Sequence, residues 1–326
     1  MMYHRFIVFT CFLAFAVILL GAYTRLADAG LGCPDWPGCY GHFAVPESEE
    51  HVVEKHYLEQ RPLEPSKGWK EMVHRYFAGA LGLSILTIAV WSWMRRRSDP
   101  GQPVWLPTLL LGLVIFQAAL GMWTVTLLLK PVVVMAHLLG GFATFGLLVL
   151  LAVQTARHRA LAGNTRWRTA GAVGLLILVA QIALGGWTSS NYAALACVDF
   201  PTCQGSWLPD MDFDEAFVMW RGLGVNYEYG VLEHPARTAI HVTHRIGALV
   251  TFLYLGWLTV SILRARGPLS GVALLVAGLL VLQVALGIGN VLLHLPLGVA
   301  TAHNGVAALL LVSLIYLNYR LWRRQH

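Results

Sequence analysis

Charge is scarce in this chain. Asp, Glu, Lys and Arg supply 12% of its 326 residues, while 57% are hydrophobic. A soluble domain carries about twice that share of charge, so a soluble globular protein is excluded. There are only five cysteines, too few for a disulfide-dense mini-fold, and no stretch is low-complexity. What fills the chain is apolar runs of about 20 residues, each long enough to cross a bilayer. Eight are read, at 6–24, 69–94, 105–129, 131–154, 168–188, 237–263, 268–292 and 296–320. The expected fold class is an all-α integral membrane protein with eight transmembrane helices.

Acidic residues are missing from one set of loops. Arg5, Arg95, Arg96, Arg97, Arg157, Arg159, Arg166, Arg168, Arg264, Arg266, Arg320, Arg323 and Arg324 lie at helix ends or loops of one side, where Asp99 is the one acid. The net charge of +6 is therefore a positive-inside signature, with no nucleic-acid partner implied. It predicts both termini in the cytoplasm and the long loops 25–68 and 189–236 outside. The first apolar run resembles a signal peptide ahead of Ala27-Asp28-Ala29. It is too long for one, and Gly21-Ala-Tyr-Thr24 matches Gly185-Gly-Trp-Thr188 of the fifth run, so it reads as a retained helix.

Four of the five cysteines fall in the two long loops, as pairs with five residues between partners. An outside compartment favours oxidation, which predicts disulfides Cys33–Cys39 and Cys197–Cys203; free thiols are the alternative. Cys11 lies within the first helix as an apolar filler. Residues 211–222 have the composition of a short amphipathic helix, or of a segment packed over the bundle mouth.

The chain repeats itself. Cys33 and Cys197 are 164 positions apart, His74-Arg75 and His244-Arg245 are 170 apart, and Gln117-Ala-Ala-Leu-Gly121 and Gln283-Val-Ala-Leu-Gly287 each run on to a histidine 20 residues after the glutamine, His137 and His303. Each half then has four helices, 1–156 and 157–326, and an even number of crossings makes them parallel-repeat four-helix bundles. Tight turns are expected at Lys130-Pro131 and His294-Leu-Pro296. Glycines such as Gly140, Gly185 and Gly287 let helices approach closely and leave room for a flat ligand. Gln117, Gln181 and Gln283 read as interhelical hydrogen-bonding residues.

Polar metal-binding side chains inside lipid are costly and mark function. His74, His137, His244 and His303 all lie near the outer ends of their helices, about 8–10 Å deep at the helical rise. His74 can face His137, and His244 can face His303. Zinc asks for four ligands or three and a water, and copper sites often recruit cysteine or methionine. Two axial imidazoles suit haem iron, whose porphyrin supplies the remaining ligands. Arg75, Arg245, Arg25, Arg237 and Lys130 lie near the same level and suit propionates, or snorkel to the interface. The halves differ at one place: Glu71 precedes His74 by three residues, and its counterpart is His241. Glu71 reads as a proton acceptor or a stabiliser of positive charge, against a helix-start glutamate favoured by the dipole. His241 is placed at a ligand edge.

Taken together, Glu71-x-x-His74, the two His-Arg pairs, His137, His303 and the paired cysteines resemble the haem A synthase family, over nearly the whole chain. No Cys-x-x-Cys-His run occurs, so covalent haem attachment is not indicated. The resemblance implies a bacterial inner-membrane enzyme that oxidises the C8 methyl of haem O to formyl, making haem A for cytochrome oxidase. It implies substrate haem O between His74 and His137, haem b held by His244 and His303, and Glu71 as the catalytic residue, with the sites near the periplasmic side. Implied partners are the upstream haem O synthase, a quinone or protein that exchanges electrons, membrane lipid and a second copy of the chain. Cys33–Cys39 is either structural or redox-active. A di-haem electron-transfer cytochrome without a product is the main alternative, and a repeat-built transporter is the second.

Overall fold

The computed structural model describes residues 1–156 and 165–322. Arg157, Arg159, Arg323 and Arg324, all assigned above to the cytoplasmic side, lie outside them. The described residues form helices, and the only strand-like pairings among them are two isolated bridges. Eight helices are long and apolar enough to cross a membrane: α1 Met2–Leu26, α2 Pro65–Arg96, α3 Trp105–Thr126, α4 Pro131–Thr155, α5 Arg168–Ser190, α6 His234–Arg264, α7 Ser270–Leu292 and α8 Leu297–Trp322. The chain is a multi-pass membrane protein.

The observed helices follow the apolar runs closely, with one difference of consequence. α2 and α6 begin before their apolar stretches, each with a proline in the first turn, where its missing N–H costs nothing. His74 is therefore nine residues along from Pro65, and His244 ten along from His234, deeper in their helices than hydropathy alone suggested. His137 and His303 each lie six residues from their helix starts.

Two compact units divide the chain. The first comprises Met1–Thr144 with Val218–Val231, and the second Phe145–Phe217 with Leu232–His326. In the first, α2 packs on both α1 and α3, and α4 meets α3 where Gln117 lies against Gly140. Tyr227, brought in from the second long loop, joins Leu31, Val125 and Leu129 in a buried cluster. In the second, α5, α6, α7 and α8 pack in a closed ring, each on the next and α8 back on α5. This is the usual way a bundle surrounds a ligand with side chains from facing helices.

Local backbone conformations recur at the sequence offsets. Asp28, Tyr40 and Gly41 have positive φ, and so do Tyr192, Gln204 and Gly205, 164 positions later. The bridge Cys39–His42 recurs as Cys203–Ser206. The turns after α3 and α7 each place two non-glycine residues in the left-handed region, Leu128-Leu129 and His294-Leu295. Their strain is offset by helix-closing bonds from Leu129 N–H to Thr124 O (2.8 Å) and from Leu295 N–H to Asn290 O (2.7 Å), a C-cap of the left-handed type.

Within 211–222, for which a short helix and a packed segment were both open, only Phe213–Ala216 is helical, and there the Asp212 carboxylate accepts from Glu215 N–H. The chain leaves helix there, and its next residues, 218–231, belong to the first unit.

Candidate functional site

Each of the four histidines lies against a glycine of a neighbouring helix. A Cβ added to Gly21 would fall 2.9 Å from His74 Cε1, and one on Gly121 would fall 3.4 Å from His137 Cε1. The corresponding distances are 3.2 Å for Gly185 to His244 and 3.1 Å for Gly287 to His303. The absence of a side chain is what seats each imidazole. The four glycines keep the repeat spacing of the cysteines and later histidines, so the seats are duplicated with the rings.

In the first unit the imidazoles of His74 and His137 are perpendicular, with ring centroids 6.5 Å apart. Both rings are half-buried, and both Nδ1 atoms are enclosed without a hydrogen-bond partner. A polar atom in that state is a cost that a ligand relieves. In the second unit His244 and His303 lie within electrostatic reach of each other, and His303 Nδ1 is likewise enclosed and unpartnered. Among the described residues, no three His, Cys, Asp or Glu side chains gather as a metal-binding group. A metal bound here by protein side chains would have two imidazoles and would need its other ligands from elsewhere.

Glu71 is buried at 5% exposure. One oxygen accepts from Arg75 Nη2 at 2.5 Å and the other from Cys33 N–H at 2.9 Å. The counterpart, His241, is buried with Nδ1 2.9 Å from Ala193 O. Both positions therefore tie a histidine-bearing helix to the start of a long loop, one with a carboxylate and the other with an imidazole.

Both disulfides are formed, Cys33–Cys39 and Cys197–Cys203, with Cα–Cα distances of 4.8 and 4.7 Å. In each loop an aspartate organises the turn. Asp35 accepts from Tyr40 and Gly41 N–H, and Asp199 from Gln204 and Gly205 N–H. The arginine after each first histidine then reaches into the loop. Arg75 donates to the carbonyls of Asp35, Pro37 and Gly38. Arg245 donates to those of Thr202 and Asp199 at 2.8 Å and of Cys197 at 3.4 Å. A guanidinium offers five donors in a fixed fork, and in both arginines several are taken by these carbonyls. Arg25 pairs with Asp28 at 3.8 Å, and Arg237 Nε is enclosed without a hydrogen-bond partner. Lys130 is buried, donating to Gly222 O at 2.7 Å with its ammonium 3.3 Å from the Trp220 ring centroid. Its charge is spent on the 218–231 segment.

That segment is held in the first unit by a second tie. Arg61 makes two 2.7 Å bonds to the Glu228 carboxylate, and this pairing, the largest cause, holds the Arg61 guanidinium above its ordinary range. Tyr40 lies beneath in the first loop, its hydroxyl donating to Pro62 O at 2.9 Å. Burial pushes that phenol up to about 12, so it stays a neutral donor.

The two disulfides form as expected and His74 lies beside His137, while three features escaped the sequence reading. The glycine seats were visible as Gly21, Gly121, Gly185 and Gly287 at repeat spacing. The Glu71–Arg75 pair was visible as an i, i+4 spacing. The assignment of 218–231 to the first unit left no signal in the sequence.

Comparison with known proteins points one way. Residues 4–315 match the family described as cytochrome oxidase assembly protein (COX15-CtaA). A haem A synthase of Shewanella oneidensis is 49% identical over 312 residues, covering 94% of this chain and 93% of its own. One of Mesorhizobium japonicum is 30% identical over 320 residues, covering 91% and 84%. One of Shouchella clausii is 27% identical, covering 92% and 89%.

Proposed function

The chain belongs to the cytochrome oxidase assembly protein family, and from that premise we propose how its two histidine pairs divide the work of a haem A synthase. It is an enzyme with the activity of its relatives, conversion of haem O to haem A. In our reading the halves 1–156 and 157–326 are parallel repeats. His74 and His137 receive haem O, and His244 and His303 hold a resident haem b.

The observation that carries the reading is the 6.5 Å separation of the His74 and His137 rings. A metal–imidazole bond is about 2 Å. Two such bonds and the two half-rings together make up a separation of this size. Porphyrin supplies the other four ligands to iron, so two imidazoles are sufficient. The enclosed, unpartnered ring nitrogens and the glycine seats fit the same ligand.

Haem b, when bound, supplies one-electron redox chemistry. The chain's own residues do the rest. Glu71 takes protons as the C8 methyl gains its oxygen from water and gives up four protons and four electrons to become a formyl. The carboxylate keeps lone pairs beyond its bonds to Arg75 and Cys33 N–H. Arg75 turns it and fastens the first disulfide loop above it. Arg25 and Arg237, with the remaining donors of Arg75 and Arg245, meet propionates, and His241 borders the resident haem. The disulfides are structural. The long loops and haem sites face the periplasm, both termini face the cytoplasm, and electrons leave to a quinone or a partner protein.

Co-expression with a haem O supply tests this. The extract of the purified chain should contain haem A alongside haem b, and His74→Ala should abolish haem A while haem b remains. Well-folded protein yielding only haem b and haem O would overturn the reading.

A further inference from the structure

The two histidine pairs differ in what braces them. In the second unit each imidazole meets a glutamine amide from a neighbouring helix. Gln181 Nε2 on α5 lies 3.1 Å from His244 Nδ1 and 3.0 Å from His244 O. Gln283 Nε2 on α7 lies 3.3 Å from His303 Nε2. In both glutamines Oε1 is enclosed without a partner.

The first unit lacks this arrangement. The position matching Gln181, by the 164-residue offset of Gly21 and Gly185, is Val17. Gln117 matches Gln283, but its amide lies over Gly140, where a Cβ would fall 1.7 Å from Nε2, and that nitrogen is enclosed without a partner. His74 and His137 keep an unpartnered Nδ1, as His303 does, and are met by the backbone of Val17 and Gln117 rather than by an amide side chain.

We propose that Gln181 and Gln283 are positioning residues whose side-chain amides brace His244 and His303 and make theirs the retaining haem site, while the His74–His137 pair, met by backbone but by no glutamine amide, is the exchanging one. This rests on the ligation proposed above. Which ring nitrogen binds metal is set by the hydrogen bond the other makes. When one nitrogen holds iron, the nitrogen facing the glutamine carries the proton. Amide oxygen and nitrogen are interchanged by a half-turn, so Gln283 meets that N–H with its unpartnered Oε1, and Gln181 does the same at the expense of its Nε2 bond to His244 O. The bond fixes the ring plane and makes the imidazole a stronger donor to iron. A synthase needs this inequality, since one haem must stay and the other must enter and leave.

The test uses full-length purified chain carrying its haem. Gln181→Val copies the first unit into the second, Gln283→Leu removes the other amide, and Val17→Gln does the reverse in the first unit. Haem loss is followed by capture in excess apomyoglobin, and the resident haem's midpoint potential and low-spin electron paramagnetic resonance signal are recorded. Each amide deletion should speed resident haem loss on the order of tenfold, the size of one buried hydrogen bond. It should also raise the potential and alter the low-spin signal, which a merely structural residue would leave in place. Val17→Gln should slow loss from the first site, and this readout stands even if the deletions fail to fold. Unchanged loss, potential and signal in folded variants would overturn the proposal and leave the ligation reading intact. Wild-type chain with no haem that His244→Ala removes would overturn the ligation reading, and this proposal with it.

Discussion

Glu71 and Cys33 are joined directly: the carboxylate accepts the cysteine's backbone N–H at 2.9 Å. The first disulfide is thereby tied to the helix that carries His74. Anything done to that carboxylate acts on the loop as well as on protons, and the two effects separate with the right substitution. Glu71→Gln keeps a hydrogen-bonding group for Cys33 N–H and removes the proton acceptor. Acid–base groups contribute about a hundredfold or more to rate. Haem A formation in Glu71→Gln should fall by at least that factor with haem b content unchanged, measured by extraction. Full activity in this variant would place the acid–base role elsewhere.

The glycine seats predict a ranked series. A methyl at Gly21 enters at 2.9 Å from His74, at Gly287 at 3.1 Å from His303, and at Gly121 at 3.4 Å from His137. The first forces a shift, and the last is close to ordinary contact. Gly21→Ala should cost the most in ligand binding, Gly287→Ala less and Gly121→Ala least, read from haem titrations of each variant. The reverse order would show that the seats do not position the rings.

Arg245 holds the second disulfide loop through three carbonyls. Arg245→Ala should leave those carbonyls unsatisfied at a cost of about 2 kcal/mol and expose Cys197–Cys203 to reduction. The measurement is thiol labelling after graded reductant. A disulfide as resistant as in the wild type would show that the arginine serves the haem alone.

Arg61 and Glu228 fasten the 218–231 segment with two bonds. Hydrogen bonds between charged groups contribute about 1.5–3 kcal/mol. Glu228→Gln should therefore speed amide exchange across 218–231 by on the order of tenfold while exchange in α5 to α8 stays unchanged. Equal protection in both proteins would mean that Tyr227 and Lys130 hold the segment without this pair.

Most of the fold was legible because lipid imposes one rule, that each span satisfies its backbone internally. Long apolar runs then become helices at nearly the residues hydropathy marks. The exceptions follow from the same rule. The first turns of α2 and α6 lie beyond the apolar stretch, where proline and polar residues start a helix without a hydropathy signal. The disulfides were legible from repeated spacing. The work of Arg75 and Arg245 was not, because an arginine near an interface suits propionates, carbonyls or headgroups equally well by sequence. Only the loop's folded shape brings the carbonyls of Asp35 and Gly38 to Arg75. Gln181 and Gln283 were read as interhelical bonds, and they are; that each ends on an imidazole depends on helix rotation, which composition does not fix.

The account stands or falls on two iron porphyrins, each gripped by an opposed pair of imidazoles. The most direct test is electron paramagnetic resonance of the purified chain loaded with both haems, compared with His74→Ala and His244→Ala. Two low-spin bis-imidazole signals are predicted, one lost in each variant. A single signal, or two signals that survive both substitutions, would contradict it.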